Sequence, residues 1–152
     1  EDGFFNLEVL GKADRVVYLA AYLYHYRRDG SSSATSGYNP RLYDQWQTLY
    51  DRMEAIIRSN QLGSEYEAAL NNRIALGILG LGLNITVSTQ SMGKKVKDIH
   101  RIIRQERYRK AYKNLPLNYF PIHWILFYGC ARHGFAFGVY VLLTVIQRII
   151  SR

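Results

Sequence analysis

The chain has 152 residues, of which 48% are hydrophobic and 14% aromatic, with 20 Lys and Arg against 12 Asp and Glu. That is one domain's worth of core-forming sequence, which excludes a wholly disordered chain, a large barrel and a two-domain enzyme. A single cysteine, Cys130, excludes an intrachain disulfide framework, and four scattered histidines without a second cysteine give no structural zinc pattern.

Charge divides the chain. Residues 1–72 hold ten acids and seven bases, a net of −3, whereas residues 73–152 hold two acids and thirteen bases, a net of +11. Such asymmetry points to one end meeting an anionic surface: phospholipid headgroups, nucleic acid or an acidic partner. The opening Glu-Asp-Gly is acidic, unlike the positive start of a signal peptide.

In chain order, the spacing predicts a first helix over Ala13–Arg28, with Val16, Val17, Leu19, Ala20 and Leu23 apolar and Tyr18, Tyr22, Tyr24 and Tyr26 as amphipathic rings. Residues 29–37, rich in Ser and Gly, read as a linker. Asn39-Pro40 reads as an N-cap and first helical residue of a second helix, with Leu42, Trp46, Leu49, Met53, Ile56 and Ile57 on its apolar side and its end near Asn60. Ser64 and Glu67 have capping-box spacing and open a long helix over Glu65–Ser91.

The basic segment follows. Lys94, Lys95, Lys97, Arg101, Arg104, Arg107, Arg109, Lys110 and Lys113 surround a narrow apolar stripe of Val96, Ile99, Ile103 and Tyr108. These bases suit anionic lipid headgroups; with Tyr108 and Tyr112 as stacking platforms they also suit RNA phosphates. Pro116 and Pro121 bracket a connector. Ile122–Ile150 is then apolar apart from Arg132-His133, long enough to cross a bilayer, and preceded by Tyr119, Phe120 and Trp124 as candidate interface aromatics. Gly134 and Gly138 stand at GxxxG spacing, which suits close helix contact, and an Arg such as Arg132 within a span should face a partner.

The expected architecture is therefore all-α: an extramembrane helical region over 1–63, a partly apolar helix over 64–93, a basic helical connector over 94–118 and a C-terminal transmembrane helix over 119–152. The stretch at about 68–91 is a candidate for a second membrane-embedded helix, with a soluble core helix as the alternative. The expected function is a non-catalytic accessory subunit of a membrane complex, of the mitochondrial inner-membrane respiratory or ATP-synthase kind, without cofactor or metal. Its partners would be other subunits and anionic phospholipid. The alternative is a basic helical protein of a ribonucleoprotein, such as a mitochondrial ribosome, which would bind nucleic acid. A small membrane enzyme using His123 or His133 is the third class. Gly80-Leu-Gly82 lacks the third glycine of a dinucleotide-binding turn, since that position is Ile85, so these glycines read as helix-packing positions. Cys130 reads as a small buried hydrophobe.

Overall fold

The computed structural model describes residues 2–21, 23 and 37–150. Among these residues all regular structure is helical: α1 (Asp2–Lys12), α2 (Leu42–Ser59), α3 (Ser64–Thr86), α4 (Met92–Ile103), α5 (Glu106–Asn114), a 3₁₀ turn (Leu117–Tyr119), α6 (Ile122–His133) and α7 (Ala136–Ile150).

The centre of the bundle is α3, on which α2, α4, α5 and α7 pack. Its glycines make this possible. A Cβ on Gly80 would stand 2.7 Å from Cη2 of Trp46, and one on Gly82 would collide with Leu143 of α7. Bare backbone thus lets α2 and α7 approach, which is the packing role expected for these positions. On α2, Tyr50, Met53 and Ile57 recur at helical spacing and are buried. On α4, Ile99, Ile102 and Ile103 do the same.

Helix α3 is the one helix among the described residues that is long and apolar enough to cross a membrane by length and composition. It is also the core helix of the bundle. The helices around it carry charge on their outer faces, including Asp51, Arg52 and Arg58 on α2 and Arg109 and Lys110 on α5. Lipid around this bundle would have to accept those charges at a cost of several kcal/mol each, of order 3 kcal/mol at the bilayer centre.

Three regions differ most from expectation. No helix forms over Ala13–Ala21. The β-branched pair Val16-Val17 disfavours a helix there, and Val16, Val17, Tyr18 and Leu19 stand exposed with no face buried to stabilise one. The rest of the expected first helix, Tyr22 and residues 24–28, and residues 29–36 of the linker lie outside the described residues. An earlier helix, α1, forms instead, with Leu7 packed on the core.

The second difference is at the end of α3, which stops at Thr86 rather than Ser91. Hydroxyls take its last carbonyls: Thr86 Oγ1 donates to Leu83 O at 2.7 Å and Ser88 Oγ to Ile85 O at 2.8 Å. Ser91 belongs to the next helix and caps it, its Oγ accepting from Lys94 N at 3.4 Å. At the other end, Gly63 is the cap residue and Ser64 is already helical, so the expected capping box does not form. Helix α2 starts at Leu42, after a turn in which Asn39 Oδ1 accepts from Arg41 N at 2.9 Å. Asn84 of α3 ties that turn down, accepting from Asn39 N at 2.7 Å and donating to Asn39 O at 2.9 Å.

The third difference overturns the C-terminal transmembrane helix. The apolar run breaks at Gly134, which holds φ 75° and ψ 20° in the left-handed region. Gly134 N donates to Ala131 O and Phe135 N to Cys130 O, closing the end of α6. Two short helices result, of 12 and 15 residues. At 1.5 Å per residue they measure roughly 18 and 22 Å, short of a hydrocarbon core of ~30 Å. The basic connector also divides, into α4 and α5, with Gln105 between them accepting from Tyr43 Oη.

The aromatic core between α2, α5 and α6 has a measurable consequence. Burial raises the Tyr50 hydroxyl to about 12 and pushes the buried Tyr108 and Tyr112 hydroxyls well above the ordinary phenol range. In the unfolded chain these phenols ionise near ~10, whereas the folded chain keeps their protons. Stability is therefore insensitive to them below about pH 10 and falls as pH rises towards 12, by about 1.4 kcal/mol per pH unit for each. Thermal melts at rising pH should show this fall, with tyrosinate absorbance from these residues appearing together with unfolding. Their ionisation within an intact fold would contradict the buried cluster.

Candidate functional site

The nine bases of the expected anion surface do not form one face. Lys94 bonds Asp98 at 2.6 Å and Arg101 lies 3.7 Å from the same carboxylate. Lys95 Nζ donates to Thr86 O at 2.8 Å, closing the end of α3. Arg107 clamps α5 to α2: Nη1 donates to Gln47 Oε1 at 2.9 Å, and Nη2 meets Asp51 directly and Glu54 at 3.4 Å. Lys97 points into solvent from α4. Arg109, Lys110 and Lys113 of α5 line an open depression together with Glu106 and Arg132.

Arg132 is a contact residue within the chain. Its Nε donates to Tyr112 O at 2.9 Å and its Nη2 to Leu115 O at 2.6 Å. Those carbonyls are at the C-terminal end of α5, where a helix has no backbone donors left and the dipole favours a cation. Chain order explains why such a tie is needed: Pro116 turns Leu115 away from helical geometry and ends α5 abruptly.

Gly134 and Gly138 do not share a helix face, because Gly134 is the turn between α6 and α7. Gly138 lies against its own neighbours: a Cβ there would be 2.5 Å from the Phe135 ring and 3.1 Å from Cys130 Sγ. Of the three expected interface aromatics, only Tyr119 is freely exposed. Phe120 packs on Tyr128 with ring centroids 5.5 Å apart, and Trp124 lies 5.9 Å from Phe127 and 6.0 Å from Tyr128. His123 sits on the surface beside Trp124 at 5.4 Å, and His133 is exposed at the end of α6. Burial pushes the Cys130 thiol up, which disfavours the thiolate.

The structure gathers a different surface. Helix α7 buries Ala136, Val139 and Leu143, and its opposite side carries Phe137, Val141, Val145 and Ile149, one every four residues and all exposed. Helix α6 buries Phe127, Tyr128 and Ala131 and turns Ile122 and Leu126 outward. Both helices thus carry apolar side chains on their outward as well as their inward sides, α6 with His123 and His133 also exposed and α7 with Arg148. Phe135, at the turn between them, is exposed as well. Thr144 of α7, beside the stripe, satisfies itself by donating to Tyr140 O at 2.9 Å. No Asp or Glu occurs after Glu106.

Phe135, Phe137 and the outward stripe escape a reading by hydropathy, which takes 122–150 as one apolar run. The signal that separates them is Arg132-His133-Gly134: bases in a last helical turn followed by a glycine. Set against known protein families, curated proteins and solved structures, the chain matches none of them.

Proposed function

We propose that the chain is a structural, non-catalytic module of a membrane-bound assembly, seated on one face of the bilayer rather than crossing it. The observation that carries this reading is the outward apolar face of α6 and α7 in a stretch free of acids. A helix that is apolar outward as well as inward needs a cover beyond its own bundle. Several cations of the fold support structure instead: Arg132 of α6 and Lys95 of α4 close helix ends, and Arg107 of α5 joins two helices.

Protein neighbours in the assembly fall to the non-helical segment Ala13–Ala21. Its exposed Val16, Val17, Tyr18 and Leu19 offer apolar and aromatic surface for such contacts. A ribonucleoprotein role is the competing reading, and it leaves the α6–α7 face without a use.

Fractionation of the native protein tests the proposal. Membranes are washed with high salt, then alkaline carbonate, then detergent. The protein is expected to stay with the membrane through high salt, since apolar contact is not screened by ions. Release by salt alone would overturn the reading and bring nucleic acid or an acidic partner to the front.

A further inference from the structure

At the α6–α7 junction two aromatic rings stand in solvent side by side. Phe135 is 56% exposed and Phe137 49% exposed. Their ring centroids lie 6.5 Å apart at an angle of 58°. Water is a poor environment for two such rings at the apex of a turn.

The residues around the rings are basic. The Arg104 guanidinium lies over Gly134, its Nε 2.7 Å from the place a Cβ would take. His133 is exposed one residue before the turn, and the part-exposed Arg132 is beside it. Two acids lie in the basic segment: Asp98 holds Lys94 and Arg101, and Glu106 lines the depression on α5 among Arg109, Lys110, Lys113 and Arg132. Near the far end of α7, the exposed Arg148 stands between Val145 and Ile149 of the stripe.

We infer that the α6–α7 turn is a lipid-insertion tip: Phe135 and Phe137 enter the interface of an anionic phospholipid bilayer, Arg104 and His133 meet the headgroup phosphates, and the Val141–Val145–Ile149 stripe lies along the membrane plane. Charge complementarity selects this occupant. A protein groove that covered the stripe would leave the cations at both of its ends unmatched unless it also supplied acids there, whereas a bilayer offers apolar depth and an anionic rim together. Helix length agrees, since neither helix reaches across the hydrocarbon core and each is suited to lie within its boundary.

The inference rests on the membrane-bound reading, and its test separates the two. The purified full chain is mixed with vesicles of phosphatidylcholine alone, or of phosphatidylcholine with phosphatidylglycerol, and recovered by flotation. Binding is expected to the vesicles containing phosphatidylglycerol. The double variant Phe135→Ser with Phe137→Ser should bind them at least about tenfold more weakly, and Arg104→Gln about fivefold more weakly with loss of the preference for phosphatidylglycerol. Met92→Ser, which alters an exposed apolar residue at the start of α4, should bind as the unaltered chain does. All three change exposed side chains, and melting curves check that the fold is retained. An environment-sensitive fluorophore on Phe137→Cys, in a Cys130→Ala background, should brighten on binding.

Unchanged binding by the double variant, or a fluorophore that stays dim on bound protein, would overturn the tip. Failure to bind either vesicle, in a protein that still resists salt in fractionation, would overturn direct lipid contact while leaving membrane attachment through a partner. Binding to RNA in place of vesicles, together with release by salt, would overturn both.

Discussion

Gly77→Leu is expected to destabilise the protein by about 3 kcal/mol or more, the largest loss of any single change considered for this fold. A Cβ at Gly77 would stand 2.5 Å from the Tyr50 hydroxyl and 3.1 Å from Cζ3 of Trp46. Tyr50 is 1% exposed and sits edge-on to Trp46, with centroids 6.4 Å apart, so neither ring can retreat without opening the α2–α3 contact. Replacing a mid-helix glycine by alanine returns about 1 kcal/mol of helix propensity. Gly77→Ala should therefore cost less than the leucine variant, propensity offsetting part of the strain. Gly93→Ala makes the contrast: nothing lies within 4 Å of its Cβ position, near the start of α4, and a gain of a few tenths of a kcal/mol is expected. Urea unfolding with matched slopes measures all three. A leucine variant as stable as the parent would mean that α2 does not lie on bare α3 backbone.

The second large effect is at Gly134. A side chain at φ 75° meets the following carbonyl, which costs roughly 1–2 kcal/mol for an ordinary residue and more for a β-branched one. Asparagine tolerates this conformation best after glycine. The expected order of stability is Gly, Asn, Ala, Val, with Gly134→Val losing about 2–3 kcal/mol. The Arg104 guanidinium over Gly134 is the far end of a flexible chain and can swing aside, so the backbone sets the order. A straight helix through this position would avoid the strain only by pulling Ala136, Val139 and Leu143 out of the core, where they are at most 5% exposed. Equal melting temperatures for the asparagine and valine variants would show that the turn is not held in the left-handed region.

These two glycines show which parts of the fold were readable in the residues. Gly77, Gly80 and Gly82 announce close packing by their spacing along an apolar helix, but their partners are Trp46, Tyr50 and Leu143, brought there by contacts far apart in sequence. The Pro116 and Pro121 boundaries follow from the backbone restrictions of proline and are where α5 ends and α6 begins. Gly134 was legible too, as a helix stop after two bases, yet hydropathy averaged over 122–150 hides a single residue's conformation. Ser91 is similar: residues 88–91 are polar and carry no strong helix breaker, so the expected helix runs on to Ser91, whose hydroxyl in fact caps the next helix. Arg132 called for a partner on electrostatic grounds, and the partner is a pair of helix-end carbonyls from α5, a tertiary fact with no local sign. For Phe135 and Phe137 the sequence shows apolar character, and only the packing of α7 by its opposite face reveals that they are left outside.

The internal ties of the basic segment also fix how the protein responds to ionic strength. Lys94, Arg101 and Arg107 already face carboxylates, and Lys95 faces a carbonyl. Lys97, Arg104, Arg109, Lys110 and Lys113 remain, so five of the nine charges between Lys94 and Lys113 keep a counterion atmosphere that an anionic surface could displace. Each displaced counterion contributes to the entropy of association and to its decline in salt, and a cation held by its own chain contributes neither. The electrostatic reach of this chain is accordingly that of a moderately charged surface, weaker than its formal charge, and lasting attachment has to come from apolar contact.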